Sequence, residues 1–216
     1  MPKKDWKQAP AKDRAREVID RLAEEYEPVC GLQFNTPFEL LIATILSAQC
    51  TDERVNQVTP ALFAAYPDSA AFAEADREAV EEQIRATGFF RNKAKNIVAL
   101  SQKLEEEYGG QVPDTMGALV GLPGIGRKTA NVVLGTAFGY PAIPVDTHVK
   151  RVARRLEFTT HADPNKIEQD LMALIPKKEQ TDFSHRVIWH GRKICRASKP
   201  KCSQCRLAPF CPSEQE

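Results

Sequence analysis

Apolar residues recur along most of the chain at spacings of three and four positions. This period matches the turn of an α-helix, in which such positions lie on one face. Strict alternation of apolar and polar residues, which would indicate half-buried β-strands, is nearly absent. The pattern predicts helices in the segments REVIDRLAEEYE, FELLIATILSAQ, ERVNQVTPALFAAY, REAVEEQIRATG, NKAKNIVALSQKLEEEY, TANVVLGTAFG, VKRVARRL, KIEQDLMALI and DFSHRVIWHGRKI.

Polar residues that can cap a helix stand directly before several of these segments. Thr36 precedes Pro37, and Asp76 and Asp146 precede two further apolar patterns. Their side chains can accept a hydrogen bond from a backbone N–H group in the first helical turn. The breaks between helices contain Gly88, Gly109, Pro113, Gly139, Pro144 and Pro176. We therefore predict an all-α protein of about ten helices.

The composition is that of a globular protein. With 216 residues, of which 42% are hydrophobic, the chain can build a substantial core. No apolar run approaches the roughly 18 residues needed to cross a bilayer. The N-terminal stretch MPKKDWKQAPAKDRAR lacks the apolar core of a signal peptide. We expect a soluble, cytoplasmic protein with no membrane partner.

The net charge of +1 argues against a nucleic-acid partner, but the charges are unevenly distributed. Residues 115–156 contain six basic side chains and a single acidic one, Asp146, and residues 183–213 contain no acidic side chain. Acidic residues gather instead at 68–82 and 105–107. This segregation suits a polyanion bound on one side of the molecule, although solvated helix faces would give the same pattern.

The stretch LPGIGRKTA, residues 122–130, nearly matches the phosphate-binding loop GxxxxGK[ST]. Such a loop follows a β-strand, whereas the residues before it here predict a short helix. Two helices joined by a glycine turn remain. Gly124 and Gly126 can adopt positive φ angles and expose backbone N–H groups where the second helix begins. These groups favour an anion, although a glycine turn between helices can also be purely structural.

Four of the six cysteines form a C-x6-C-x2-C-x5-C array, which consists of Cys195, Cys202, Cys205 and Cys211. So many thiols in a short segment of a cytoplasmic protein indicate a metal site. Structural zinc sites commonly use two CxxC pairs, and only one pair occurs here. The spacing therefore favours a [4Fe–4S] cluster over zinc, with disulfides third. Cys30 and Cys50 are expected to be buried apolar residues.

Together, the glycine turn, the segment PVDTHVKRVARRL and the cysteine array resemble the helix-hairpin-helix DNA glycosylase superfamily. The similarity includes LIATILSAQCTD and GFFRNKAKNI and covers nearly the whole chain. The resemblance implies a six-helix barrel domain at 30–140 and a helical iron–sulfur cluster domain built from 1–29 and 141–216. It also implies a helix-hairpin-helix motif and an active-site cleft between the domains. LPGIG would be the hairpin, whose backbone amides hold a DNA phosphate.

The resemblance also assigns catalytic residues. Lys128 matches the nucleophilic lysine of the bifunctional members, and the alternative is a solvated surface lysine. Its position in the first turn of a helix, beside Arg127 and buried in a cleft, would favour the neutral amine that attacks C1′. Asp146 matches the catalytic carboxylate and can at the same time cap a helix. His148 either supports Asp146 at the DNA or packs internally.

Two further residues match positions that contact the opened duplex. Gln49, in LSAQCTD, matches the residue that fills the space left by the extruded nucleotide. Phe89, in GFFRN, matches the wedge on the side of the opposite strand. Both side chains could instead pack in the core. Many relatives are expected to have an aliphatic wedge, so the aromatic ring is a departure from the family pattern.

The resemblance thus implies a monomeric DNA glycosylase and abasic-site lyase of base excision repair that carries a [4Fe–4S] cluster. Its partner would be double-stranded DNA with oxidised pyrimidines, such as thymine glycol, or abasic sites. An adenine-mismatch glycosylase is an alternative, but that enzyme normally lacks the lysine found here at position 128. A non-catalytic helix-hairpin-helix module is another, in which Lys128 would contact a phosphate.

Overall fold

The computed structural model describes residues 6–214, and all regular secondary structure in that range is helical. The all-α prediction is confirmed. None of the helices in this range is long and apolar enough to cross a membrane. The described chain divides into two compact units. The central unit is Cys30–Gly139, and the terminal unit combines the described residues before and after it.

Eleven α-helices lie between residues 6 and 214, together with short 3₁₀ turns. In chain order they are α1 Ala11–Glu25, α2 Pro37–Leu46, α3 Asp52–Ala65, α4 Ser69–Ala73, α5 Arg77–Ile84, α6 Phe90–Tyr108, α7 Met116–Val120, α8 Arg127–Thr136, α9 Thr147–Arg155, α10 Pro164–Leu174 and α11 Gln180–Lys193.

Helices begin where the polar residues of the sequence indicate. The Thr36 hydroxyl accepts a hydrogen bond from the Glu39 N–H at 3.1 Å at the start of α2. The Asp76 carboxylate caps α5 in the same way. The glycine breaks with positive φ angles include Gly88, Gly109 and Gly139. These predictions are confirmed because caps and glycine breaks depend on residues that are close in sequence.

The hydrophobic pattern does not predict α4, which has only five residues. A helix of this length is too short for its period to appear in the sequence. Asp68 caps it by accepting a hydrogen bond from the Ala71 N–H at 2.9 Å. Phe72, on α4, is fully buried and packs on Tyr66 with the ring centroids 4.8 Å apart. The helix therefore depends on packing rather than on its own length.

Helix α2 is the core helix of the central unit. Eight of its ten residues are buried, so it is apolar around its whole circumference. Helices α3, α6 and α8 all contact it. Its last residue, Leu46, leads into the loop that carries Gln49. The position of this loop is therefore set by the most deeply buried element of the unit.

The terminal unit has a hydrophobic core to which both ends of the described chain contribute. Helix α1 supplies Leu22, and further core residues come from α9, α10 and α11. Arg14 on α1 is buried and donates hydrogen bonds to the carbonyls of Leu156 at 2.7 Å and Phe210 at 3.2 Å. The N-terminal helix is thus tied to the end of α9 and to the segment that contains the last cysteine.

The expectation that Cys30 and Cys50 are buried is wrong. Both side chains are half-exposed. Neither lies on a helix: Cys30 is in the connection between α1 and α2, and Cys50 stands directly before the Thr51 cap of α3. A lone cysteine carries no periodic signal, so its burial could not be judged from the sequence.

Candidate active site and cysteine cluster

The glycine turn joins α7 to α8 in the central unit. It is closed by a hydrogen bond from the Ile125 N–H to the Leu122 carbonyl at 3.2 Å. Gly124 has a φ of +78°, which L-amino acids rarely adopt. A Cβ at Gly124 would also lie 2.8 Å from the Asn96 side-chain nitrogen. The turn therefore requires glycine at this position for both its backbone angle and its contact with α6.

The prediction of a positive φ at Gly126 is wrong. This residue has φ −95° and ψ 171°, an extended conformation that any residue can adopt. The reason is its position, because Gly126 is the N-cap of α8 and N-cap residues are normally extended. Glycine has no side chain that could cap the helix. The first turn of α8 therefore begins without a side-chain cap.

Lys128 is the second residue of α8 and follows Arg127, the first. Both side chains are exposed. The expectation that Lys128 is buried is therefore wrong. Its amine lies instead beside a helix N-terminus that no side chain caps and that attracts anions.

A cavity of about 210 Å³ lies within the central unit next to the glycine turn. Its lining comes from α2 and the loop after it, from the start of α6, and from the region of the glycine turn. The lining residues are Thr44, Ile45, Ala48, Gln49, Phe89, Asn92, Lys93, Asn96, Gly124 and Thr129. The structure thus brings together three residues that the sequence singled out separately: Gln49, Phe89 and Gly124.

Gln49 and Phe89 have an unusual backbone conformation. Their φ angles are 53° and 49°, and within residues 6–214 only two other non-glycine residues have positive φ. Such angles cost free energy and commonly occur at functional sites. Phe89 is 62% exposed, and Gln49 is also exposed. The alternative that these side chains pack in the core is therefore wrong.

Sequence reasoning did not single out Lys93, Asn92 or Asn96 at this cavity. Lys93 is buried, with 4% of its surface exposed, which is rare for lysine. All three residues are polar positions of an amphipathic helix, so their pattern resembles that of a solvated face. The one available hint was their inclusion in the segment GFFRNKAKNI.

Asp146 belongs to the terminal unit and caps α9. Its Oδ1 accepts a hydrogen bond from the Val149 N–H at 2.8 Å, so the predicted cap is confirmed. His148 follows in the first turn of α9 and is half-buried. Its Nδ1 lies 3.1 Å from the Arg151 guanidinium. This contact, on the same helix, holds the imidazole ring next to the cap.

Gly191 lets α9 and α11 approach each other closely at His148. A Cβ at Gly191 would lie 2.9 Å from the His148 Cβ. Burial lowers the pKa of His148, Asp146 opposes this shift, and Arg151 and Arg192 add to it. The imidazole is therefore neutral near pH 7 and can accept the hydrogen bond from Arg151. His148 is therefore packed against α11 and is also influenced by the charge of Asp146.

The four cysteines of the array line one cavity of about 30 Å³ in the terminal unit. The pKa of Cys205 is raised to about 11, mainly by burial and in smaller part by the neighbouring cysteines. Burial likewise raises the pKa of Cys211. Among residues 6–214, no three Cys, His, Asp or Glu side chains are grouped so as to hold a metal ion. The four cysteines nevertheless share the lining of one cavity.

Two arginines on α9 hold the first cysteine of the array. Arg155 donates hydrogen bonds to the Cys195 sulfur at 3.2 Å and to the Arg196 carbonyl at 2.7 Å. Arg151 donates to the Cys195 carbonyl at 2.9 Å. These bonds fix the position of Cys195 relative to α9.

A family model described as HhH-GPD superfamily base excision DNA repair protein matches residues 42–177, which is more than half of the chain. The chain belongs to the HhH-GPD superfamily. Endonuclease III of Synechocystis sp. is 55% identical over 211 residues, covering 97% of this chain and 96% of the relative. Endonuclease III of Escherichia coli is 42% identical over 201 residues, covering 93% and 95%.

Solved structures agree with this assignment to the HhH-GPD superfamily. A non-covalent endonuclease III–DNA complex has a TM-score of 0.90 and 44% identity, covering 95% of this chain and 97% of that one. A trapped endonuclease III–DNA covalent intermediate has the same TM-score and identity, covering 95% and 98%. The predicted resemblance and the predicted fold are confirmed. As an HhH-GPD member, the protein is a base excision repair DNA glycosylase.

Proposed function

We propose that this glycosylase is bifunctional, removing oxidised pyrimidines such as thymine glycol from duplex DNA and then cleaving the strand at the abasic site. The observation that carries the proposal is the position of Lys128, exposed in the first turn of α8 and directly after the glycine turn. The similarity to an endonuclease III trapped as a covalent intermediate with DNA supports it. The amine would be the nucleophile of both steps.

The glycine turn and the start of α8 would bind a phosphate of the DNA backbone. Gly124 and Gly126 would offer backbone amides without side chains in the way, and Arg127 would add positive charge. Phosphate contacts position the duplex without reading its sequence, which suits an enzyme that searches for damage. The DNA complex of the endonuclease III relative supports duplex DNA as the partner.

The Lys128 amine would attack C1′ of the damaged nucleotide and form a C–N bond as the bond to the base breaks. The base leaves with the electron pair of that bond and takes up a proton. Opening of the sugar gives a Schiff base between Lys128 and C1′. Loss of a 2′ proton then expels the 3′ phosphate by β-elimination, and water releases the lysine.

Asp146 would stabilise the positive charge that develops at C1′ and assist proton transfer. The hydrogen bond that α9 donates to Oδ1 fixes the orientation of the carboxylate. His148 would contact the DNA beside it. The catalytic role of Asp146 is compatible with its role as a helix cap, since the capping hydrogen bond engages only Oδ1.

Gln49 and Phe89 would insert into the duplex once the target nucleotide is extruded. Both side chains are exposed on strained backbone at the same cavity, as expected of groups that contact DNA rather than the protein core. The Phe89 ring could stack on the bases beside the gap and offset part of the cost of opening the pair.

Cys195, Cys202, Cys205 and Cys211 would hold a [4Fe–4S] cluster. The donor set fits, because all four cysteines line one cavity. The four cysteines of a [4Fe–4S] cluster each bind a different iron. When bound, the cluster would supply structural stability to the terminal unit and take no part in bond cleavage.

In this proposal, the central unit is the six-helix barrel domain with the helix-hairpin-helix motif, and the terminal unit is the cluster domain. The enzyme would act as a monomer in the cytoplasm, associated with the nucleoid if the source is bacterial. Duplexes with damaged pyrimidines or abasic sites would be its substrates.

Borohydride trapping tests the proposal directly. The wild-type protein should become covalently linked to DNA that contains an abasic site, because borohydride reduces the Schiff base. Lys128→Ala should bind the same duplex without being trapped, while Lys95→Ala, which removes an exposed lysine of α6, should be trapped like the wild type. Trapping of Lys128→Ala at the wild-type level would refute the nucleophile. Tight binding without any trapping in the wild type would instead identify a non-catalytic module.

A further inference from the structure

Lys93 is a buried lysine of the central unit to which the proposed chemistry gives no role. It lies in the first turns of α6 and is 4% exposed. Burial of an ammonium group is costly unless its hydrogen bonds are satisfied. Its presence in the protein interior therefore calls for a specific interaction.

The Lys93 ammonium connects two chain segments that are far apart in sequence. Its Nζ donates hydrogen bonds to the carbonyls of Leu46 and Thr87, both at 2.8 Å. Leu46 ends α2 three residues before Gln49, and Thr87 lies two residues before Phe89. The Lys93 backbone N–H donates to the Phe89 carbonyl at 3.2 Å. Lys93 thus forms hydrogen bonds to the backbone before Gln49 and to the backbone around Phe89.

The chemistry of these contacts suits a cation. Leu46 is the last residue of α2, and Thr87 is the last residue of the 3₁₀ turn after α5. Carbonyls at helix ends lack intrahelical partners and carry partial negative charge. Two charge-assisted hydrogen bonds to them are stronger than bonds from a neutral donor. Burial lowers the pKa of Lys93, as expected for an ammonium removed from water.

The contacts also explain how two strained residues persist side by side. A left-handed conformation costs an L-residue roughly 1–2 kcal/mol. Such strain persists only where the surrounding structure fixes the backbone on either side. Lys93 fixes the chain before Gln49 and, through its side chain and its backbone, around Phe89.

We propose that Lys93 is a positioning residue that holds the Gln49 loop and the Phe89 loop at the spacing needed for their simultaneous insertion into DNA. This inference rests on the proposed insertion of both side chains. Lys93 itself does not touch DNA in this role. Loss of its ammonium would leave the two loops in place on average but free to move independently.

The test compares Lys93→Met, which keeps the apolar length of the side chain but removes the charge and both hydrogen bonds, with Lys95→Met. Lys95 is an exposed lysine on the same helix and serves as the control. Lys93→Gln, which retains a shorter donor, replaces Lys93→Met if the latter does not fold. Hydrogen exchange of peptides covering residues 47–51 and 87–90 measures the loops without DNA.

A second measurement compares excision of thymine glycol from paired duplex with cleavage at a preformed abasic site, where no base has to be extruded. We expect Lys93→Met to speed exchange in both loops and to slow excision about tenfold more than it slows abasic-site cleavage, since only excision has to offset the cost of opening a base pair, a few kcal/mol, by insertion of both loops. Lys95→Met should leave both measurements unchanged.

Equal losses on both substrates, or unchanged exchange in the loops, would overturn the role of Lys93. Phe89→Ala and Gln49→Ala separate this result from failure of the insertion model. Each should slow excision more than abasic-site cleavage while leaving the exchange around Lys93 unaltered. If neither shows that bias, the insertion model itself is wrong, even if Lys93→Met loosens both loops.

Discussion

Replacing Gly124 by alanine should damage the glycine turn for two reasons that the structure separates. The new Cβ would lie 2.8–3.0 Å from three atoms of Asn96, and the φ of +78° would become strained. A left-handed L-residue costs roughly 1–2 kcal/mol, and forcing an extra methyl group into a packed site costs roughly 1–3 kcal/mol, so the sum is about 2–5 kcal/mol.

Gly126→Ala is the matched control for stability. Gly126 has an extended backbone, and no atom lies within 4 Å of the position that its Cβ would take. Alanine there should lower the unfolding free energy by no more than about 1 kcal/mol, the cost of a poorer N-cap. The two substitutions add the same methyl group two residues apart, so their difference isolates the backbone angle and the Asn96 contact.

Two assays report the outcome. The first is urea unfolding, monitored by hydrogen exchange of peptides from the central unit, which measures stability. The second is titration with a duplex that contains an uncleavable abasic analogue, which measures binding. We expect Gly124→Ala to lose both stability and affinity, because any relief of the overlap must move the turn away from its phosphate-binding geometry. Wild-type stability and affinity in Gly124→Ala would refute the reasoning, as would an equal loss of stability in Gly126→Ala.

Other predictions concern the terminal unit. Asp146→Asn should keep α9 folded, since asparagine also caps helices. The rate constant of base excision, measured under single-turnover conditions, should fall at least about tenfold. The wild type should contain about four irons per chain, and Cys202→Ser should lower both this iron content and the melting temperature. Zinc without iron after anaerobic purification would contradict the cluster. Burial lowers the pKa of His185 below its unfolded value of 6.5, so unfolding free energy should fall as the pH drops below 6.5. His185→Gln should reduce that slope by up to about 1.4 kcal/mol per pH unit in urea titrations.

The features predicted correctly from the sequence depend on residues close together in the chain. Thr36 and Asp146 each cap a helix that begins at the next residue, and the Gly124 conformation follows from a turn of a few residues. The cysteine array is likewise confined to one short segment. Local chemistry is sufficient in these cases, because the partner of each group is near in sequence.

The features that were missed depend on contacts between distant segments. Lys93 has its hydrogen-bond partners on two other elements, and nothing in its own helix distinguishes it from the exposed Lys95. The need for glycine at Gly191 arises from His148 on another helix. The burial expected for Lys128 was inferred from its family role, whereas the side chain is exposed in the structure.

The distribution of basic residues gives a different picture in the structure from the one given by the sequence. Arg151 and Arg155 belong to the basic stretch that suggested a DNA-binding surface, yet their guanidinium groups bond to the backbone around Cys195. Arg206 of the cysteine segment pairs with Glu24 at 2.9 Å. The first two arginines are therefore held in fixed directions by the cysteine segment, and the charge of Arg206 is offset by Glu24.

The charges that remain unpaired determine how the enzyme would hold DNA. The salt dependence of binding reports the number of phosphates neutralised by basic side chains. Arg206, whose charge is offset by Glu24, adds little to that number, whereas exposed residues such as Arg196 and Lys199 remain able to add to it. The salt dependence should thus be weaker than the basic residues of the two stretches suggest. The uncharged amides of the glycine turn would then provide a larger share of the specific hold on the backbone, which is why the geometry at Gly124 matters more than the net charge.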